Sequence, residues 1–187
     1  MSARIDLIPT PIGGLTLLSR TAVGDSRGFL DRLYCSHTLA PALGDARIVA
    51  VNRTMTARKG TVRGLHFQHP PHAEDKVITC LHGEIYDVAV DLRRGSPTFL
   101  SWHAERLSGD NRRSLLIPKG FAHGFQTLSD DCELIYMHTA AYSRDSEGGI
   151  DALDPRIAIR WPLPITERSA RDEDHAPLDD SFGGIDL

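Results

Sequence analysis

An all-β sandwich or barrel is the fold class that this sequence predicts. Three observations point there. Sustained helical periodicity is scarce, β-branched runs alternate over short stretches, and glycine and proline recur between them. The 187 residues fit one domain spanning 1–187. A chain of this length buries most of its unfolded surface without disulfides or metals.

Taken in order, Gly13-Gly14 is a turn, because it lacks the third glycine and the helix of a nucleotide-binding loop. Helix is expected only in short pieces, such as Leu39 to Leu43. Val77 to Leu81 and Ile85 to Leu92 read as strands, with His82-Gly83 between them as a hairpin turn. In the second, Ile85, Asp87, Ala89 and Asp91 share one face, and Tyr86, Val88, Val90 and Leu92 the other. Gly95-Ser96-Pro97 is another turn, and Ser114 to Ile117 a short strand ended by Pro118-Lys119-Gly120. Phe121 to Leu128 and Cys132 to Tyr142 are strands around Ser129-Asp130-Asp131. From about residue 165 the chain is polar and acidic, which predicts a solvated, loosely packed tail with a flexible Gly183-Gly184.

A net charge of -4 argues against nucleic acid as a partner, since such partners need a concentrated basic excess. Cys35, Cys80 and Cys132 are odd in number and far apart, as expected of thiols in a reducing compartment. No signal peptide and no long apolar span is visible, so a cytoplasmic protein without membrane attachment is expected.

Of the nine histidines, His66, His69, His72 and His82 are closely spaced. A metal site in a β-barrel normally takes two histidines one residue apart, leaving the same strand face. No His-x-His occurs, and Pro70-Pro71 interrupts the group. No metal is expected, and His69 and His72 read as surface loop residues. Acid–base chemistry fits better. A histidine titrates near neutrality and suits a general base, and a nearby carboxylate fixes its tautomer. Proton removal beside a carbonyl also needs a cation for the enolate oxygen, which Lys76 can supply, and an acid on the opposite face, for which Tyr136 is a candidate.

Several ordered blocks carry a resemblance. They include Asp25-Ser26-Arg27-Gly28, Arg63-Gly64-Leu65-His66-Phe67-Gln68, Lys76-Val77 and Asp87-Val88-Ala89-Val90-Asp91-Leu92-Arg93. Gly95-Ser96-Pro97-Thr98, Ile117-Pro118-Lys119-Gly120-Phe121-Ala122-His123-Gly124-Phe125, Tyr136 with Tyr142, Asp154-Pro155 and Ile159-Arg160-Trp161-Pro162 follow. In order and spacing, from about Asp25 to Pro177, the chain resembles the dTDP-4-dehydrorhamnose 3,5-epimerase family. The resemblance implies a jelly-roll, cupin-type β-barrel with no metal and no cofactor. It implies a homodimer in which an N-terminal strand crosses to the partner's sheet. The implied substrate is a nucleotide-diphospho-4-keto-6-deoxysugar, epimerised at C3 and C5 through an enolate. Carried over by position, His66 is the base and Asp172 its carboxylate partner, with Asp174 the neighbouring alternative. Lys76 stabilises the enolate oxygen and Tyr136 is the acid. His123 contacts the sugar, Arg63 and the other subunit's Arg27 the diphosphate, Asn52 lines the site, and Tyr142 lies against the base.

Leu30, Arg32 and Ala50 depart from the family pattern, which has an aromatic, an acid and a glutamine there. Lost hydrogen-bond partners change base selectivity strongly. Two readings stand: a nucleotide other than thymidine, or a thymidine base held by other residues. C3-only epimerisation, a 3,4-ketoisomerase and a sugar-nucleotide-binding cupin without turnover are the further alternatives. The retention of His66, Lys76 and Tyr136 favours an enzyme.

Overall fold

The computed structural model describes residues 2–187. In chain order its strands are β1 (Arg4–Pro9), β2 (Thr16–Thr21), β3 (Val23–Asp25), β4 (Gly28–Leu30), β5 (Ala50–Thr56), β6 (Val62–Gln68) and β7 (Lys76–His82). Then come β8 (Glu84–Asp91), β9 (Trp102–Ser108), β10 (Arg113–Ile117), β11 (Phe121–Thr127), β12 (Cys132–His138) and β13 (Glu147–Gly149). Two short helices, α1 (Ser36–Leu43) and α2 (Ala170–Glu173), complete the set with one 3-10 turn.

A six-stranded sheet, β1-β2-β10-β7-β12-β5, faces a five-stranded sheet, β13-β6-β11-β8-β9. The fold is the expected all-β jelly roll. One apolar cluster fills the space between the sheets, with Leu17, Ile78, Leu115 and Leu134 from one and Ile85, Ala89, Leu107 and Phe125 from the other. The alternation in β8 sorts its residues as its sequence predicts. Ile85 and Ala89 enter this interior, while Val88, Val90 and Leu92 pack outside the five-stranded sheet. Helix α1 caps the outer face of the six-stranded sheet, burying Leu39 and Leu43 against Leu18, Val77 and Leu116. Burying one leucine stabilises by about 2 kcal/mol. The helix starts three residues earlier than the sequence indicates and carries Pro41 inside.

Two expectations need correction. His82-Gly83 is not a hairpin turn, because β7 and β8 belong to different sheets. Gly83 makes a corner at φ 75°, where an added Cβ would lie 2.6 Å from Ser129 Oγ and 2.8 Å from Cys132 Sγ. A hairpin and a corner share the same local residues, so composition does not separate them. The segment after Pro164 is not a loose tail. The Val62 N–H donates to the Glu167 carbonyl at 2.9 Å, and the Ile185 N–H donates to the Leu92 carbonyl at 2.7 Å. Ile185 is buried, and Leu178 and Phe182 pack on the same outer cluster. Gly184, at φ 104°, lies against the Arg94 backbone, where a Cβ would come within 2.7 Å of its nitrogen. A smaller divergence is that β12 stops at His138 rather than Tyr142.

Candidate active site

The site grows from a close approach of β6 and β11. Gly64 sits at φ 119°, and a Cβ there would be 2.6 Å from the Gly124 Cα. A Cβ on Gly124 would in turn lie 2.7 Å from the Arg63 carbonyl oxygen. Only glycine fits on both sides. The register is irregular here, and His66 and His123 end up directly opposite one another. Both histidines line a cavity of about 450 Å³ between the two sheets. From the facing sheet come Lys76 on β7, Tyr136 and His138 on β12, and Ala50, Asn52 and Thr54 on β5.

His66 is oriented from behind. Its Nε2 lies 2.7 Å from Asp172 Oδ1, and the Gly64 N–H donates to Asp172 Oδ2 at 3.1 Å. The carboxylate comes from α2, where the Ser169 hydroxyl accepts from the Asp172 N–H as the N-cap. Asp172 is buried, and burial alone would raise its pKa. Its bonds to His66, Gly64 and Ser169 outweigh that and hold the carboxyl below its ordinary value. An ionised carboxylate only accepts, so His66 carries its proton on Nε2, leaving the Nδ1 lone pair available. Asp174 is exposed, so Asp172 is the carboxylate that reaches His66.

His123 has its own partner. Its Nε2 lies 2.7 Å from Oδ1 of fully buried Asp87. Burial pushes the Asp87 carboxyl up, and the His123 attraction pulls against it. Tyr136 packs at the edge of His123, with ring centroids 6.0 Å apart. Burial, reinforced by the Asp87 charge, pushes the Tyr136 phenol above its ordinary value, while Arg63 opposes the shift. The phenol therefore keeps its proton at neutral pH. Lys76 Nζ is 3.2 Å from Glu74 Oε1, with both side chains largely buried. Tyr142 stands at the exposed mouth and donates to Glu147 Oε2 at 2.9 Å.

Of the residues singled out from the sequence, Asn52, Arg63, His66, Lys76, His123, Tyr136 and Tyr142 line this one cavity, with Asp172 directly behind His66. Arg27 does not. It lies on the β3–β4 ribbon, highly exposed and paired with Asp25 at 2.6 Å. Leu30 and Arg32 are exposed near it, whereas Ala50 is on the cavity wall. His69 and His82 are exposed, and His72 pairs with Ser146 Oγ at 2.8 Å, so none of the three enters the site.

Glu74, Asp87, His138 and His175 also belong to the site and stand outside the functional residues singled out from the sequence. Asp87 had a signal, as one of two carboxylates, with Asp91, on a strand face shared with Ile85 and Ala89. His175 packs edge-on to His66 with centroids 5.9 Å apart, and a Cβ on Gly149 would strike its ring. Burial, then repulsion from His66 whenever that ring is protonated, push the His175 pKa down. Donor atoms of His66, Asp172 and His175 lie within 4.8 Å of one another. A cation there would have to replace the proton shared by His66 and Asp172.

Residues 9–180 match the family model described as dTDP-4-dehydrorhamnose 3,5-epimerase. The chain belongs to the dTDP-4-dehydrorhamnose 3,5-epimerase family. It is 42% identical over 173 residues to the dTDP-4-dehydrorhamnose 3,5-epimerase of Salmonella typhimurium, covering 92% of this chain and 94% of that one. The crystal structure of the Bacillus anthracis enzyme, with TDP and pyrophosphate bound, superposes with a TM-score of 0.89 at 40% identity, covering 94% of this chain and 100% of that one. A dTDP-4-dehydrorhamnose 3-epimerase from Streptomyces niveus is 37% identical over 169 residues, 90% of this chain and 81% of the relative. The epimerase family thus includes relatives of both regiochemistries. No helix among the described residues is long and apolar enough to cross a membrane.

Proposed function

We propose that this protein epimerises a nucleotide-diphospho-4-keto-6-deoxysugar at C3 and C5 without metal or cofactor. The observation that carries this reading is the placement of base and acid on opposite sheets. His66 lies on β6 of the five-stranded sheet, and Lys76 and Tyr136 lie on β7 and β12 of the six-stranded sheet. A sugar ring held between them loses a proton to His66 Nδ1 on one face. The C4 carbonyl becomes an enolate, whose oxygen the Lys76 ammonium stabilises. Tyr136 returns a proton to the other face, and the configuration inverts. Arg63 offsets the charge left on the phenolate. Burial of Lys76 between the sheets, with 12% of its side chain exposed, strengthens its charge.

In the same reading His123 contacts the sugar, Asn52 lines its pocket and Tyr142 covers the nucleotide base at the mouth. Arg63 and Arg27 hold the diphosphate, Arg27 from the other protomer of a homodimer. The β3–β4 ribbon joins neither large sheet and exposes 69% of Phe29 and 63% of Leu30. Edge strand β5 exposes 59% of Val51 and 56% of Met55. Apolar surface of this kind on a ribbon and an edge fits an exchanged arm. Strand β1 pairs with β2 of its own chain, so the ribbon is the segment proposed to cross. Free, largely buried thiols fit a cytoplasmic protein acting as one domain.

The test is turnover of 4-keto-6-deoxyhexoses linked to dTDP, UDP, CDP and GDP, with products identified by NMR. Inversion at C3 and C5 of one of them is expected. Turnover of none would overturn the reading. Inversion at C3 alone would favour the second reading, which rests on the 37% identical 3-epimerase.

A further inference from the structure

His138 forms a histidine–carboxylate pair inside the cavity that the proton-transfer machinery does not use. Its Nδ1 lies 2.9 Å from Glu74 Oε2, and the other oxygen of the same carboxylate holds Lys76 Nζ at 3.2 Å. The Glu74 side chain is 7% exposed and that of His138 15%. Burial alone would raise the Glu74 pKa, but the His138 bond and the Lys76 charge outweigh it and hold the carboxyl below its ordinary value. Glu74 is therefore an acceptor only, and His138 donates to it from Nδ1. That fixes Nε2 as the ring's acceptor. The Asn52 side-chain amide donates to Nε2 at 3.3 Å, the long end for such a bond.

The position is informative. His138 pairs across β12 with Lys76 on β7 and with Ala50 on β5, and all three line the cavity. Ala50 is small and leaves the imidazole room beside it. The ring also stacks on Tyr136, with centroids 6.1 Å apart and planes 6° from parallel. His138 thus adjoins both Lys76 and Tyr136, the two groups that serve the sugar from this wall.

We infer that His138 is a specificity-determining residue whose Nε2, together with the Asn52 amide, binds a hydroxyl of the sugar ring. A hydroxyl matches this pair because it donates and accepts at once. It gives its hydrogen to His138 Nε2 and takes the Asn52 N–H, so the long bond between the two side chains opens around it. Glu74 is the positioning residue, since it fixes the tautomer. The inference rests on the sugar-nucleotide reading above.

The experiment compares wild type with His138→Ala and His138→Gln. Calorimetry measures the Kd of the best-binding nucleoside diphosphate among dTDP, UDP, CDP and GDP, and of its 4-keto-6-deoxyhexose conjugate. Turnover gives kcat and KM. For His138→Ala the conjugate is expected to bind about tenfold more weakly, close to 1.4 kcal/mol. KM should rise in step, kcat should change less than threefold, and the bare nucleotide should bind as before. His138→Gln, which keeps an acceptor oxygen, should recover most of the loss. Equal weakening of nucleotide and conjugate, or no weakening of the conjugate, overturns the inference. If His138→Ala does not fold, His138→Phe in place of alanine decides it by the same criteria. Calorimetry needs no turnover, so a wild type that binds the conjugate without converting it sinks the epimerase reading and leaves His138 separately tested.

Discussion

Replacing Asp172 by asparagine is expected to lower activity more than truncating it to alanine. The carboxylate has two jobs. Oδ1 accepts from His66 Nε2 at 2.7 Å and Oδ2 accepts from the Gly64 N–H at 3.1 Å. Asparagine offers one acceptor and one donor group. The Gly64 N–H only donates, so the amide oxygen must face it and the NH₂ must face His66. That forces the histidine proton onto Nδ1, and the lone pair needed to remove a substrate proton is lost. In a histidine–carboxylate pair of another enzyme, such a wrong-tautomer change lowers kcat by about 10⁴. Alanine leaves the imidazole free to adopt either tautomer. It removes a charge-assisted hydrogen bond of about 1.5–3 kcal/mol, or roughly 10- to 150-fold in rate. Alanine also strands the Gly64 N–H, a loss of about 1–3 kcal/mol in stability, so melting temperatures accompany the rates. The assay is the initial rate of solvent deuterium uptake by the 4-keto sugar nucleotide, followed by NMR. An asparagine variant as active as the alanine variant would refute the tautomer argument.

Tyr136→Phe should keep proton loss within about tenfold of wild type while abolishing net inversion; full epimerase activity in that variant would remove Tyr136 as the acid. Gly64→Ala places a methyl group 2.6 Å from the Gly124 Cα, backbone against backbone. It should destabilise by about 3 kcal/mol or more, read as a drop in urea midpoint, and an unchanged midpoint would contradict the close approach. Acid stability follows from Asp91, which burial would push up but which bonds from Arg93, Ser96 and Thr98 bring down from 3.8 to about 2. A carboxyl depressed in the folded state stabilises above its unfolded pKa, and that contribution disappears as pH falls through the folded value. Wild type should therefore lose stability between pH 4 and pH 2. Asp91→Asn should be less stable at pH 7 and flatter across that window, measured by thermal melts; equal pH slopes would contradict the assignment.

The sequence carried the strand pattern and most of the site, and the limits have physical causes. Alternation in β8 was legible because each face meets a different apolar cluster, so its two residue sets differ in character. Sheet membership was not legible, since the glycine at 83 serves a corner as readily as a hairpin. The C-terminal segment looked solvated because its anchors, Leu178, Phe182 and Ile185, are sparse among acids. His66, Lys76, His123 and Tyr136 stood in recognisable blocks. Glu74 and His138 stood in none, because a pair 64 residues apart becomes visible only when β12 is laid beside β7. Arg27 shows the converse, a residue singled out by its block that its own chain holds away from the cavity.

Proton exchange across a ring held between facing sheets leaves an isotopic record in the product. The decisive measurement is conversion of the 4-keto-6-deoxyhexose nucleotide in D₂O, with the product isolated after a single turnover. One solvent deuteron is expected at each inverted carbon, at C3 and at C5. Inversion without solvent deuterium at those carbons would contradict the proton-exchange mechanism.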